Sequence, residues 1–328
     1  MDVRLVTKDG VARHEVADLP ELLRREDGIV WVDVPECDEQ VAEVLLDVFG
    51  CHPLAVKDCF QRNRVPRVHV YPLHAFIILH TPQLGASGHV HYVELDQFIG
   101  ERYLITVHGP VNPAVPAEVP LRETRAVLAR IEAGKLRPAT PLALSYAIVS
   151  ALARQQEAFV EELTREVWRL EQRVTAGDKG GDPEEFLEEL FQARHGLMAV
   201  RTISATAGDV YGRMASLGRF LPDREGHLVD DLIDQFDRVR SLADGEKDYL
   251  QGVIDFFRAR TETKMTIAAE RLAVIAVVTL PITAIGSVYG MNVIVNERTH
   301  VGQLIAVLVL MAAISATLLT WAKRQGWW

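Results

Sequence analysis

The sequence predicts an α+β membrane protein: an N-terminal α/β domain, a stalk of long helices with coiled-coil character, and two C-terminal transmembrane helices. Three observations carry this. Strand and helix signals alternate over the first 135 residues. From Pro141 the texture changes to helical stripes interrupted by few breakers. Near the end, Leu272–Tyr289 and Val301–Trp321 are apolar stretches that approach or reach the ~20 residues a helix needs to cross a bilayer. The expected domains are 1–135 (α/β), 136–270 (long-helix stalk) and 271–328, with spans at about 271–291 and 301–322 joined by a short loop.

Within the first domain, Val3–Thr7, Ile29–Val34, Arg67–His80, His89–Ile99 and Tyr103–Val107 are rich in Val, Ile, Tyr and Phe and read as strands. Val41–Phe49 and Leu121–Ile131 have helical spacing. Pro110, Pro113, Pro116 and Pro120 mark an irregular connection. In the stalk, Leu152, Phe159, Leu163, Val167, Leu170 and Val174 recur three, four and seven residues apart, as on one face of a long amphipathic helix. Gly177 to Gly181 breaks it. Asp182 as N-cap, Pro183 at the first helical position and Glu185 in the first turn restart it. A second break falls at Gly218–Pro222. Beyond it, Leu228, Leu232, Phe236, Val239, Tyr249, Val253 and Phe257 keep a helical stripe. One helix from about Asp223 through the first span would have ~65 residues and a length of about 100 Å. Pro281 need not end it, because membrane helices tolerate proline.

At 48% hydrophobic and 24% charged the chain is too polar for a polytopic transporter, and its apolar excess sits at the C-terminus. A net charge of −10 argues against nucleic acid as a partner and suits cations. The N-terminus carries no apolar signal segment, so the aqueous part is expected in the cytoplasm. Cys37, Cys51 and Cys59 show no paired spacing and read as reduced thiols. Arg258, Arg260, Lys264 and Arg271 precede the first span, and Lys323 and Arg324 follow the second; the loop holds only Arg298. The positive-inside rule then places both termini in the cytoplasm of a multi-pass cell (inner or plasma) membrane protein, with Trp321, Trp327 and Trp328 at the inner interface.

Two spans cannot enclose a polar path by themselves, so a path needs several copies around an axis. The first span carries Thr279, Thr283, Ser287 and Asn292 and should face that axis; the leucine-rich second span suits the lipid side. No phosphate-binding loop, nucleophile elbow or zinc-protease motif occurs, which argues against an enzyme and against ATP-driven transport.

Tyr289-Gly290-Met291-Asn292, at the outer end of the penultimate span of a chain with a large aqueous domain, resembles the CorA family of magnesium channels. Leu280-Pro281-Ile282-Thr283 through Asn292 matches the family's pore helix without gaps, and His52-Pro53-Leu54 followed by Asp58 is similar to its cytoplasmic motif. The resemblance implies a funnel-shaped homopentamer in a lipid bilayer that passes hydrated Mg2+, with Co2+ or Ni2+ also taken, and needs no organic cofactor. It implies a selectivity filter at Gly290, Met291 and Asn292 and a pore lined by Leu272, Leu280, Thr283 and Ser287. It also implies a regulatory Mg2+ site in which Asp231, with Asp234 beside it, faces Asp58 of a neighbouring subunit. Mg2+ dehydrates reluctantly, and amide and carbonyl oxygens accept hydrogen bonds from its waters without the trapping strength of carboxylates.

Plainer roles stand beside these. Gly290 and Asn292 serve equally as a helix cap, Thr283 and the leucines as packing against the second span, and Asp230 and Asp237 as a solvated acidic face. Lys57 stands where many bacterial relatives have an acid, and the outer loop holds Glu297 as its only carboxylate. His89, His91, His74 and His80 make a zinc site in the first domain conceivable. Two alternative functions stay open: a zinc transporter of the same superfamily, and a non-conducting membrane-anchored sensor or scaffold.

Overall fold

The structure, a computed structural model, describes residues 1–85, 88–176, 183–217, 225–290 and 301–324. It divides into two compact units, Met1–Val253 and Ile254–Trp328.

The first unit is built on a seven-stranded mixed sheet. Its strands are β1 (Asp2–Thr7), β2 (Gly10–His14), β3 (Ile29–Val34), β4 (Arg67–Val70), β5 (His74–Leu84), β6 (Val90–Gly100) and β7 (Tyr103–His108), in the spatial order β2-β1-β3-β7-β6-β5-β4. Only β3 and β7 run parallel; the other neighbours are antiparallel. Both faces are covered, so the central strands read as nearly continuous apolar runs. Along β5 the side chains alternate between two cores. Phe76 and Ile78 meet α1 (Leu19–Leu22), α2 (Glu39–Asp47) and α3 (Pro53–Asp58) through Leu19, Leu22, Val41, Leu45 and Val56. Ile77 and Leu79 meet α4 (Arg122–Glu132), α5 (Pro141–Ala176), α6 (Pro183–Leu217) and α7 (Gly226–Gly290) through Val127, Leu152, Tyr211 and Phe236. Trp31, fully buried, satisfies its indole N–H on Thr106 Oγ1 at 3.2 Å.

The predicted stripe on α5 is the buried one: Leu152, Phe159, Leu163, Val167, Leu170 and Val174 all lie in the core. Against it α6 turns Leu190, Ala193, Leu197, Val200 and Ile203 inward. A β-carbon at Gly196 would come within 2.9 Å of Leu163, so glycine lets the two helices approach there. An Arg173–Glu189 ion pair ties the same two helices.

Two differences from the sequence reading have local causes. The run Arg67–His80 is two strands, because Tyr71 N donates to His74 O at 2.9 Å and closes a turn around Pro72, which has no N–H for a ladder. Strand β2 is additional. The Asp9-Gly10 pair reverses the chain, Gly10 taking a φ of 147°, and the strand it starts is short and polar, with little apolar alternation to reveal it. The breaks expected at 177–181 and 218–222 and the cap at Asp182 fall outside the described residues.

In the second unit α7 continues through Pro281 to Gly290, and α8 spans Val301–Arg324. Both are long and apolar enough to cross a membrane, with windows of mean hydropathy 1.9 and 2.4 and none of either window buried. Leu272, Ile275, Leu280 and Val288 on α7, and Leu304, Ile305, Leu308, Val309 and Leu310 on α8, are all exposed. A soluble monomer does not leave so much contiguous apolar surface in water.

Candidate ion path and regulatory site

The candidate path residues within the described chain lie on one helix. At 100° per residue, Leu272, Leu280, Thr283, Ser287 and Gly290 of α7 fall within about 80° of its circumference. The first four are exposed. Thr283 donates its hydroxyl hydrogen to Thr279 O at 2.8 Å, and Thr279 donates to Ile275 O at 2.8 Å. With the hydrogen spent on the helix backbone, the Thr283 oxygen keeps lone pairs for an outside donor. The same bond satisfies the hydroxyl within its own helix, as an apolar surrounding requires. The helix ends at Gly290, and Met291 and Asn292 lie outside the described residues.

Asp58 is set by the start of its own helix. Pro53 occupies the first helical position of α3, and His52 caps it, its Nδ1 accepting from Leu54 N at 3.2 Å. The six-residue helix that follows ends on Asp58. There the carboxylate meets Arg67 of β4, Oδ2 to Nη2 at 3.0 Å, while Asn63 Nδ2 donates to the Asp58 backbone oxygen at 3.1 Å. Asp231, in the exposed part of α7's second turn, is held by uncharged donors. Tyr146 Oη reaches its Oδ2 at 2.7 Å and Gln235 Nε2 the same atom at 2.5 Å. The phenol of Tyr146 is pushed up by that carboxylate and by burial. Asp230 and Asp234 are exposed, and Asp237 pairs with Arg240 at 3.2 Å. Among the described residues no three His, Cys, Asp or Glu side chains come together as a metal-holding group. One copy of the chain therefore presents Asp58 and Asp231 on separate elements, as single carboxylates.

His74 and His80 lie on β5, His91 on β6 and His89 just before β6, and among the described residues they form no metal-holding group. His80 is buried on Asn63 O at 2.9 Å, His74 packs on Tyr71 and Phe98, and His91 lies 3.4 Å from Asn112. Burial, and then the nearby His52, lower the His74 pKa to about 4.

Sequence reading missed the residues that hold the carboxylates: Asn63, Arg67, Tyr146 and Gln235. It also passed over Glu94 and Asp96, two acids on one face of central strand β6. Their signal was present as acids two apart, flanking Leu95 in a strand that runs on to Phe98 and Ile99, a pattern that puts both on one buried face.

The model of the CorA-like Mg2+ transporter family matches residues 26–324, nearly the whole chain. The chain belongs to that family. This CorA-like protein is 25% identical over 303 residues to the putative metal ion transporter YfjQ of Bacillus subtilis, a match covering 90% of this chain and 89% of that one. It is 22% identical over 306 residues to the cobalt/magnesium transport protein CorA of Thermotoga maritima, covering 90% and 83%. In fold it is similar to the CorA magnesium transporter of Methanocaldococcus jannaschii, with a TM-score of 0.80 at 16% identity over 100% of this chain and 99% of that one. The cytoplasmic domain of ZntB from Vibrio parahaemolyticus shares the fold at 10% identity, TM-score 0.60, over 80% of this chain and 98% of that one. A CorA-like chain is a membrane metal-ion transporter and not an enzyme, and its two C-terminal apolar helices are the membrane segments.

Proposed function

We propose that this protein passes hydrated Mg2+, and Co2+ or Ni2+ less specifically, into the cytoplasm through a homopentameric pore closed by intracellular Mg2+. The observation that carries the reading is the exposed α7 face from Leu272 through Thr283 and Ser287, which leads into Gly290-Met291-Asn292. Leu272 and Leu280 form the apolar constriction, Thr283 and Ser287 give hydroxyl oxygens to the ion's waters, and the Gly290 and Met291 carbonyls and the Asn292 amide form the rim. Five-fold order comes from the family resemblance. Leu242, Tyr249 and Phe256, exposed seven residues apart on α7, support association with further copies, since that is the spacing of a helix–helix seam. Both termini lie in the cytoplasm by the distribution of basic residues. Entry is driven by the membrane potential, roughly 4.6 kcal/mol per 100 mV for a doubly charged ion.

Closure is a population shift. Mg2+ between Asp58 of one subunit and Asp231 of the next, with Asp234 beside it, clamps the closed assembly, and falling Mg2+ releases it. Asp231→Ala is expected to raise the Mg2+ needed for half-maximal protection from limited proteolysis by about tenfold, the loss of one charge-assisted contact of about 1.4 kcal/mol per interface. An unchanged requirement removes Asp231 from the site.

The likeness to ZntB keeps Zn2+ as a second cargo reading, because the fold does not discriminate the ion. Purified protein in liposomes, assayed with Mg2+ and Zn2+ in competition, separates the two. We expect Mg2+ flux without dependence on a proton gradient; zinc flux that follows pH, with no Mg2+ flux, overturns the assignment. No ion flux at all would leave an anchored sensor.

A further inference from the structure

We infer that Arg67 is a tethered competitor of the regulatory cation: its guanidinium occupies Asp58, and a divalent ion must displace it to bind. The inference rests on the reading of Asp58 as a regulatory ligand. Arg67 Nη2 sits 3.0 Å from Asp58 Oδ2, both side chains partly exposed. The same nitrogen donates to Asn63 Oδ1, so the arm is aimed from two sides. Asn63 is itself fixed from below. Its backbone N–H and its Nδ2 donate to the buried Glu94 carboxylate at 2.7 and 2.6 Å, and Nδ2 also reaches the Asp58 backbone oxygen. A buried acid thus orients an amide, the amide orients an arginine, and the arginine covers the carboxylate.

The two halves of the proposed site differ accordingly. Asp231 is held by a phenol and an amide, which orient it without neutralising it. Asp58 is neutralised by a full positive charge, and a cation arriving there meets like charge. Displacement is feasible because the arm is partly exposed and its Nε is buried with no partner among the described residues; swinging outward gives that N–H water. The competition sets the Mg2+ threshold high, so the pore closes only when the cytoplasmic ion is abundant.

The test uses full-length protein in detergent, titrated with Mg2+ during limited proteolysis. Arg67→Gln is expected to lower the Mg2+ needed for half-maximal protection by up to about fivefold, the range for removing one partly exposed ion pair. Arg67→Lys should restore the requirement toward wild type, which loss of structure alone would not do. If the Gln variant unfolds in chelator, Arg67→Met, which keeps the aliphatic stem, serves in its place with the same expected drop. An unchanged or raised requirement in these variants, while Asp58→Asn abolishes protection, overturns the competitor role and leaves the regulatory site standing. Full protection in Asp58→Asn overturns both.

Discussion

Replacing Asn292 with alanine is expected to abolish Mg2+ selectivity at the pore mouth, so that flux into liposomes is lost or escapes control by Mg2+ on the inner side. The size follows from repetition. One amide oxygen accepting from an ion-bound water contributes about 1 kcal/mol net. Five copies around one axis lose roughly 5 kcal/mol together, more than a thousandfold in occupancy of the mouth by hydrated Mg2+. Carboxylates would hold the ion more tightly and slow its exit, which is why an amide is suited to this place. Asn296→Ala, in the same connecting segment, is the control and should leave flux within about twofold of wild type. Flux, ion preference and Mg2+ inhibition all preserved in Asn292→Ala would end the rim assignment and leave Asn292 a helix cap.

The second large effect concerns pH. Asp96 of β6 is completely buried, and neither carboxyl oxygen has a hydrogen-bond donor among the described residues. Burial first, and then the negative charge of Glu94, hold its pKa well above the usual carboxylate range. The folded protein therefore keeps a proton on Asp96 that the unfolded chain releases near pH 4. From that pH up to the folded-state pKa the native state binds more protons than the unfolded one, so stability falls by about 1.4 kcal/mol per pH unit. Asp96→Asn is uncharged at every pH, and its amide can donate to Glu94. The variant should lose this slope, so that it gains steadily on the wild type as pH rises through that window. Heat or urea unfolding of both proteins across pH measures it, and parallel curves would show that Asp96 is ionised in the fold. Asp33 works the other way. Although burial raises it, His108 at 2.9 Å and the hydroxyls of Thr106 and Thr124 bring it below its ordinary value. That contribution is lost on acidification and is common to both proteins, so it cancels.

The legible parts of the sequence were those governed by period and by local chemistry. The α5 stripe from Leu152 to Val174, the strands read at Ile29–Val34 and Tyr103–Val107, and the apolar runs of α7 and α8 follow from spacing, composition and length. His52-Pro53 reads in the sequence only as part of a family motif, although it also starts α3, where a cap and a proline act within one turn. Strand β2 was not legible, since none of its residues is fully buried and its register comes from β1. Tyr249 joined the α7 stripe by spacing, yet it is exposed, in phase with Leu242 and Phe256. A helix long enough to outrun its neighbours changes the face it buries, and only the packed neighbours say where. The pairs Asp58–Arg67 and Asp231–Tyr146 join residues from different elements, the second separated by 85 positions.

The sequence by itself determined that this chain has an α/β body, long helices and two apolar segments with a polar motif between them, because helix period, strand alternation and hydrocarbon thickness act on neighbours along the chain. Tertiary structure alone decided that β3 pairs with β7, distant from it in sequence, that Glu94 and Asp96 lie in the core, and that an arginine rests on Asp58. Those are matters of which surfaces meet, and the free energy of a buried acid or a covered carboxylate is set by what folding brings against it.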